Sequence, residues 1–426
     1  MRMDKEPVQP RNDPVNEEED TEGDDDETEL AVGEDEVEVI YEDGLEDEIA
    51  NNMDNLDLEN VSDEEDDIVP ETDHATITFR AHQGPVYSCE FHPKGRICAT
   101  GGEDEMLYVF DSLTTEIFLE EKFQDSVTLI KFNHDGKYLA AADMLGNLIC
   151  WKNSNNSFTK VRTLKLNSPS WMEWHRLANV LVVAEKVYFC MWKVPQFDTV
   201  KYFPLDCYSE TGCLMPDGKS ALIGYDEGYA VILDLATFTV TSKLKQNDMN
   251  CEHGIVSVDA HPNNNVVALG TKKGRVILFT TKKPKVIEMI DMPTVSDGEF
   301  IESVKFGRDV LIGSLLVAFS NYLHIYDQAK LILRHKITLS GHAVKLVFID
   351  PFAYIATSKA VVDVCNCNAG VKNYSIQGHT KAIMDMALSK DECRLITGSD
   401  DRSVKIFDLA PIASIVAATG ENSAAT

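Results

Sequence analysis

The sequence predicts an all-β fold, a closed β-propeller of eight blades preceded by a disordered acidic N-terminal arm. Three observations carry this reading. Strand-ending residues recur at a near-constant period, the first and last repeats share a polar signature, and the negative charge is confined to one end of the chain. Residues 1–74 hold 32 acidic and 3 basic side chains, a balance of −29, against 39 acidic and 36 basic in 75–426, a balance of −3. The chain is therefore expected to be a near-neutral globular body with a polyanionic arm.

The last repeat defines the unit. It runs from Gly378-His379 through an apolar stretch (Ala382, Ile383, Met386, Ala387) and a Lys390-Asp391 turn. It then continues into Leu395-Ile396-Thr397-Gly398-Ser399-Asp400-Asp401 and ends at Val404-Lys405-Ile406-Phe407-Asp408. These residues resemble a WD40 repeat, in which a Gly-His pair and a terminal aromatic-Asp pair bracket three strands of one blade. The resemblance implies that His379, Thr397 and Asp401 hydrogen-bond to one another and fix the turn between the second and third strands. Phe407 replaces the usual Trp, so the network is expected to be one bond shorter. His82, Thr100 and Asp104 occupy the same positions in the first repeat, which ends at Val109-Phe110-Asp111.

In chain order, residues 1–73 contain runs such as Glu17-Glu18-Glu19-Asp20 and Asp63-Glu64-Glu65-Asp66-Asp67. Such a segment buries too little apolar surface to offset its ordering entropy. Within it, Val37, Val39, Ile40, Tyr41, Leu45 and Ile49 form an apolar cluster, and Ser62 precedes Asp63-Glu64-Glu65 as an acidophilic kinase site would. Each is either solvated tail or a short recognition segment whose charge phosphorylation raises. From residue 74 alternation takes over. Third strands are expected to end at Phe110, Trp151, Trp192, Leu233, Phe279, Tyr326, Cys365 and Phe407, at intervals of 41, 41, 41, 46, 47, 39 and 42 residues. Eight units over 75–410 give 42 residues each, whereas seven would need 48, outside the usual spacing. The extra strand near Thr76-Ile77-Thr78-Phe79 is then free to complete the last blade and close the ring. Residues 74–410 are expected to form the propeller and 411–426 a frayed tail.

Chemistry is sparse. The N-terminus has no apolar run of the signal-peptide kind, no stretch suits a membrane span, and the ten cysteines fit strand-like, reduced core positions, which points to a cytoplasmic protein with nuclear presence open. Cys365-Asn366-Cys367 has no second pair to make a metal site, and both thiols fit the core. No phosphate-binding glycine loop is present, and no nucleophile–base pair stands outside the repeat pattern. We expect no enzyme, no metal and no cofactor. His92, His175 and His261 fall in equivalent strand-end turns and are read as structural.

What remains is a surface. Loops entering the first strands and loops linking second to third strands share one face around the channel. On them fall Glu103, Glu105, Asp125, Asp143, Glu185, Glu210, Asp226 and Glu227, with Glu252, Asp297 and Glu299. Basic residues on that face gather at Lys272, Lys273 and Arg275, with Lys282, Lys283 and Lys285 shortly after. The two readings are an ordinary mixed rim and an acidic face that attracts a basic ligand. Trp171 aligns with Ser88 on an innermost strand, so it is expected to fill or cap the channel. Beside Glu173 it would also suit an Arg or Lys side chain.

Ser170-Trp171-Met172-Glu173-Trp174-His175, Met191-Trp192-Lys193-Val194-Pro195, Leu214-Met215-Pro216-Asp217-Gly218-Lys219 and Ile223-Gly224-Tyr225-Asp226-Glu227-Gly228 resemble the angio-associated migratory cell protein family. Arg176 departs from the family's pattern, and Trp is missing from most third strands. The resemblance implies a WD40 protein with an acidic N-terminal region whose fungal relatives are dedicated chaperones of a large-subunit ribosomal protein. It also implies a second reading, a cytoplasmic signalling scaffold in migration or angiogenesis. The charge layout favours the chaperone, a monomer holding a basic client without membrane insertion or direct nucleic-acid contact. RNA binding by the 272–285 cluster would face competition from the arm.

Overall fold

The computed structural model describes residues 68–186, 188–197, 200–205, 207–245, 254–293 and 299–410. Residues 1–67 of the arm, its apolar cluster, Ser62, Glu252, Asp297 and the tail lie outside them, whereas residues 68–73, expected in the arm, are described and bond to blade eight through Ile68 and Asp73. The described residues form eight four-stranded antiparallel sheets arranged as consecutive blades. Blade one comprises Val86–Phe91, Ile97–Gly102, Met106–Asp111 and Ile117–Lys122, and each later blade repeats that order from the inner to the outer strand. The eight strand-ending residues read from the period all fall in third strands, and all are buried.

Burial explains the residue pattern of each strand. Second strands such as Ile97–Gly102 and Tyr138–Asp143 are buried at every position, because both faces pack on neighbouring blades. Outer strands such as Ile117–Lys122 alternate between exposed and partly buried positions, as a half-solvated sheet edge should.

Ring closure combines the two ends of the chain. Ile77–Phe79 pairs with the third strand of blade eight, Val404–Asp408, in the register Ile77 to Ile406, Thr78 to Lys405 and Phe79 to Val404. Phe79 stacks on Phe110 of blade one at 4.0 Å between ring centres, so the clasp strand contacts the first blade as well as the last. Ahead of it, the His74 amide donates to the Gln377 carbonyl at 3.0 Å and Asp73 accepts from the buried Lys405 ammonium at 2.5 Å.

The inner strands share one irregularity. In blades one, two, five, six, seven and eight the register slips after the first residue, leaving Tyr87, Thr128, Val256, Glu302, Val344 and Met384 as bulged residues. All six are at least partly exposed, although the residue before each is fully buried. A bulge re-aims the side chain it carries, so these six line the channel mouth. Inner strands of blades three (Trp171–Trp174) and four (Thr211–Leu214) pair without a slip.

Candidate functional site

The upper face is the one on which inner strands begin and on which second-to-third-strand turns lie. At its edge, the His82 ring bonds Asp104 at 3.0 Å through Nδ1 and Thr100 Oγ1 at 3.0 Å through Nε2, while the Gln83 amide donates to Asp104. His379 does the same with Asp401 and Thr397, both at 2.7 Å, and the Thr380 amide donates to Asp401. Burial alone would raise both Asp carboxyls, yet the hydrogen bonds from histidine and backbone outweigh it, and both sit below the usual carboxylate range. These six residues hold the loops of blades one and eight in place.

The acidic positions expected on the upper face divide into four groups. Asp143 and Glu185 do not belong to the rim. Asp143 is wholly buried and accepts from the Asn147 amide at 2.7 Å, and Glu185 is buried and accepts from the Asn167 amide at 2.5 Å. Their position at the end of a second strand made them look like loop residues, whereas Asp143 closes its own turn and Glu185 ties its turn to the loop entering the inner strand of the same blade. Glu210 and Asp226 are on the surface but both hold Lys272, at 2.8 and 2.6 Å, so one cation of the blade-five cluster answers the acidic loops of blade four. Glu105 pairs with Lys122 at 3.2 Å, Asp125 accepts from the Ser126 amide, and Glu299 accepts from Ser320. Glu103 and Glu227 are exposed.

Trp171 and Glu173 also leave the mouth. Trp171 is 8% exposed and its indole lies flat against Gly212 of blade four, with Nε1 donating to Ser209 Oγ at 3.3 Å. A Cβ at Gly212 would sit 2.0 Å from the Trp171 ring, so the indole occupies the space of the missing side chain. Trp171 is a wedge between blades and neither fills nor caps the channel. Glu173 accepts from the Leu214 amide at 2.7 Å, and burial raises its carboxyl. Asp259 and Asp385 make the equivalent bond to the Phe306 and Cys89 amides. Inner-strand carboxylates thus tie one blade to the next.

Glu302 is a candidate site residue that sequence reasoning missed. It is the ionisable member of the bulged ring along with the Tyr87 phenol, and among the described residues no hydrogen bond or ion pair engages its carboxylate. Desolvation alone pushes it up to about 7. Across the mouth, burial and the carboxylates Glu103 and Asp400 raise the Tyr87 hydroxyl. Exposed apolar side chains share this face: Met144 and Leu145 in the blade-two turn, Phe300 before blade six, and Met384 in the ring. The sequence signal for Glu302 was its place one residue after the first buried residue of an inner strand, which becomes informative only once the bulge is known. Cys365 and Cys367 are both buried in one apolar cluster, and burial pushes both thiols up to about 12. No group of metal-ligating side chains forms among the described residues.

Fold and repeat chemistry together define a WD40 β-propeller, and the WD domain, G-beta repeat family matches residues 74–111 and 370–408. Those two stretches contain the two His–Thr–Asp networks. The chain is similar to the angio-associated migratory cell protein of Homo sapiens, with 29% identity over 350 residues, covering 79% of this chain and 80% of the relative. It is also similar to an uncharacterized WD repeat-containing protein of Schizosaccharomyces pombe, at 23% over 78% of this chain and 85% of the relative. Among solved structures, Saccharomyces cerevisiae Sqt1 superposes with a TM-score of 0.72 at 16% identity, covering 79% of this chain and 99% of Sqt1. Chaetomium thermophilum Sqt1 bound to the N-terminus of ribosomal protein L10 superposes equally well, also at 16% identity, over 79% of this chain and all of that one. At that identity the superposition shows the shared fold.

Proposed function

We propose that the upper channel mouth captures a basic segment of a newly made large-subunit ribosomal protein, and that the protein is a non-enzymatic, cytoplasmic chaperone for that client in ribosome biogenesis. The observation that carries this reading is Glu302, a desolvated carboxylate without a partner among the described residues, set among the bulged residues Tyr87, Thr128, Val256, Val344 and Met384. A Lys or Arg side chain suits such a ring, because its aliphatic stem meets apolar walls while its head reaches one carboxylate. Glu103, Asp125 and Glu227 would then steer the remaining cations on the rim. Solved Sqt1 bound to the N-terminus of ribosomal protein L10 supports the client class.

The test is a fluorescence titration of the full chain with a labelled peptide of the L10 N-terminus. We expect binding that weakens about tenfold or more between low and moderate salt, as exposed charge pairs do. Glu302→Lys combined with Glu227→Lys should weaken it by a further tenfold or so, since a like charge at the anchor repels the client. Binding indifferent to salt and to both changes would sink the proposal. In that case affinity purification returning only salt-resistant signalling partners would favour the migration scaffold.

A further inference from the structure

The lower face of the ring has the opposite character at one place. Between blades one and two, the first-to-second-strand turns and the hairpin after Lys152 enclose a cleft of about 690 Å³. Lys94, Arg96, Lys137 and Lys152 line it against a single carboxylate, Asp135. Asp135 is already answered, by Lys137 at 2.7 Å and by the Asn133 amide group at 2.8 Å. Arg96 reaches back to Asp111 through Nε at 2.7 Å. Lys94 and Lys152 are exposed and have no acidic partner among the described residues.

The walls are fixed. The His92 ring bonds the Gly136 carbonyl at 3.1 Å and accepts the Lys94 amide at 3.0 Å, while the Asn153 amide donates to the Lys137 carbonyl at 2.8 Å. Gly136, at φ 73°, lets the His92 ring approach to where a Cβ would be 1.9 Å away, so the two turns are locked face to face. Asn155 and Asn156 at the hairpin tip add exposed amide donors.

We propose that this cleft binds an acidic peptide carrying a phosphorylated side chain. A phosphate presents three acceptor oxygens and close to two negative charges, which match an arginine fork flanked by two unpaired ammonium groups better than one carboxylate does. A peptide is favoured over single-stranded RNA because the cleft has no stacking platform. The one ring in its lining, His92, is buried and packed edge-on against Phe132 at 5.2 Å.

The test is an anisotropy titration of the full chain with a labelled acidic peptide containing one phosphoserine. The controls are its unphosphorylated twin and a single-stranded RNA of the same net charge. The phosphopeptide should bind at least ~10-fold more tightly than either. Lys94→Glu with Lys152→Glu should weaken it at least ~10-fold at unchanged thermal stability, since neither side chain has a partner to lose. Arg96→Lys, which keeps the charge and removes the fork, should lose affinity for the phosphopeptide but not for its twin. Equal binding of the twin, tighter binding of the RNA, or affinity unchanged in the double variant would each overturn the proposal.

Discussion

Two seams of the ring are built on different principles. The polar seam, between blades eight and one, adds directional bonds to an apolar cluster that includes Phe79, Val86, Phe110, Ile396 and Val404. Arg394 donates to Ser112 Oγ at 2.7 Å and to the Gly95 carbonyl, Asp385 accepts the Cys89 amide, and the clasp strand with Asp73 and Lys405 holds the two ends of the chain together. The seam between blades three and four depends on shape, with the Trp171 indole filling the space over Gly212 and a single carboxylate bond from Glu173 beside it. A ring must be equally closed at both places, but directional bonds depend on protonation and salt, whereas a packed indole does not.

The sharpest way to break the comparison is at the packed seam. Trp171→Ala should destabilise the propeller by about 3–5 kcal/mol, the usual cost of emptying a buried aromatic site. Gly212→Ala should cost ~1–3 kcal/mol through overpacking against the same ring. Combined, the two should cost less than their sum, because the added methyl enters the space the indole vacated. Denaturant unfolding of the four proteins measures this, and strict additivity would show that the two residues do not share one space. These effects should hold at any pH between 5 and 8.

The polar seam should respond less, and with a pH signature. Asp73→Asn removes the anion facing the Lys405 ammonium, whose side chain is 3% exposed, while Asp73 itself is 51% exposed. Breaking a fully buried pair costs more, so solvent access to Asp73 brings the expectation to about 1–2 kcal/mol. Burial pushes the Asp73 carboxyl up, but the hydrogen bond and charge of Lys405 prevail and it lies below its ordinary value. A depressed folded value means the contribution is complete above the unfolded carboxylate value and is lost as pH falls through the folded one. The stability difference between wild type and Asp73→Asn should therefore shrink below pH ~4. A constant difference down to pH 3 would remove Asp73 from the seam.

The same contrast separates what the sequence made legible from what it did not. Third-strand ends such as Trp151 and Phe279, the networks of His82 and His379, and the clasp at Ile77–Phe79 could all be read, because each rests on a local pattern or a fixed period. Asp143 and Glu185 were misplaced because a carboxylate that accepts a backbone amide and a free one look alike in sequence, and only their amide partners distinguish them. Trp171 was misread for a related reason. Its environment is set by Gly212, 41 positions away on another blade, and the absence of a side chain leaves no signal of what fills its place. Glu302 was hidden by the bulge, since a one-residue slip turns a position that alternation would bury toward the channel.

Glu302 supplies an effect of the same small size, with the opposite sign. The bulges separate the two seams as well. Met384 and Tyr87 flank the polar seam and turn toward the mouth, while the unslipped strands of blades three and four contribute none of the ring. A carboxylate aimed into that ring has a folded value raised to about 7 by desolvation. A raised value means that the folded state is not penalised below the unfolded carboxylate value and loses stability as pH rises through the folded one. Glu302→Gln, similar in shape and uncharged, should therefore be neutral at pH 4 and stabilising by ~1–2 kcal/mol at pH 8, after allowance for the partial solvent access of the site. The same substitution should weaken the basic peptide, so stability and binding would move in opposite directions at one position. A variant no more stable than wild type at pH 8 would mean that the channel mouth solvates Glu302 fully, and that the bulged ring does not hold a charge in reserve for a ligand.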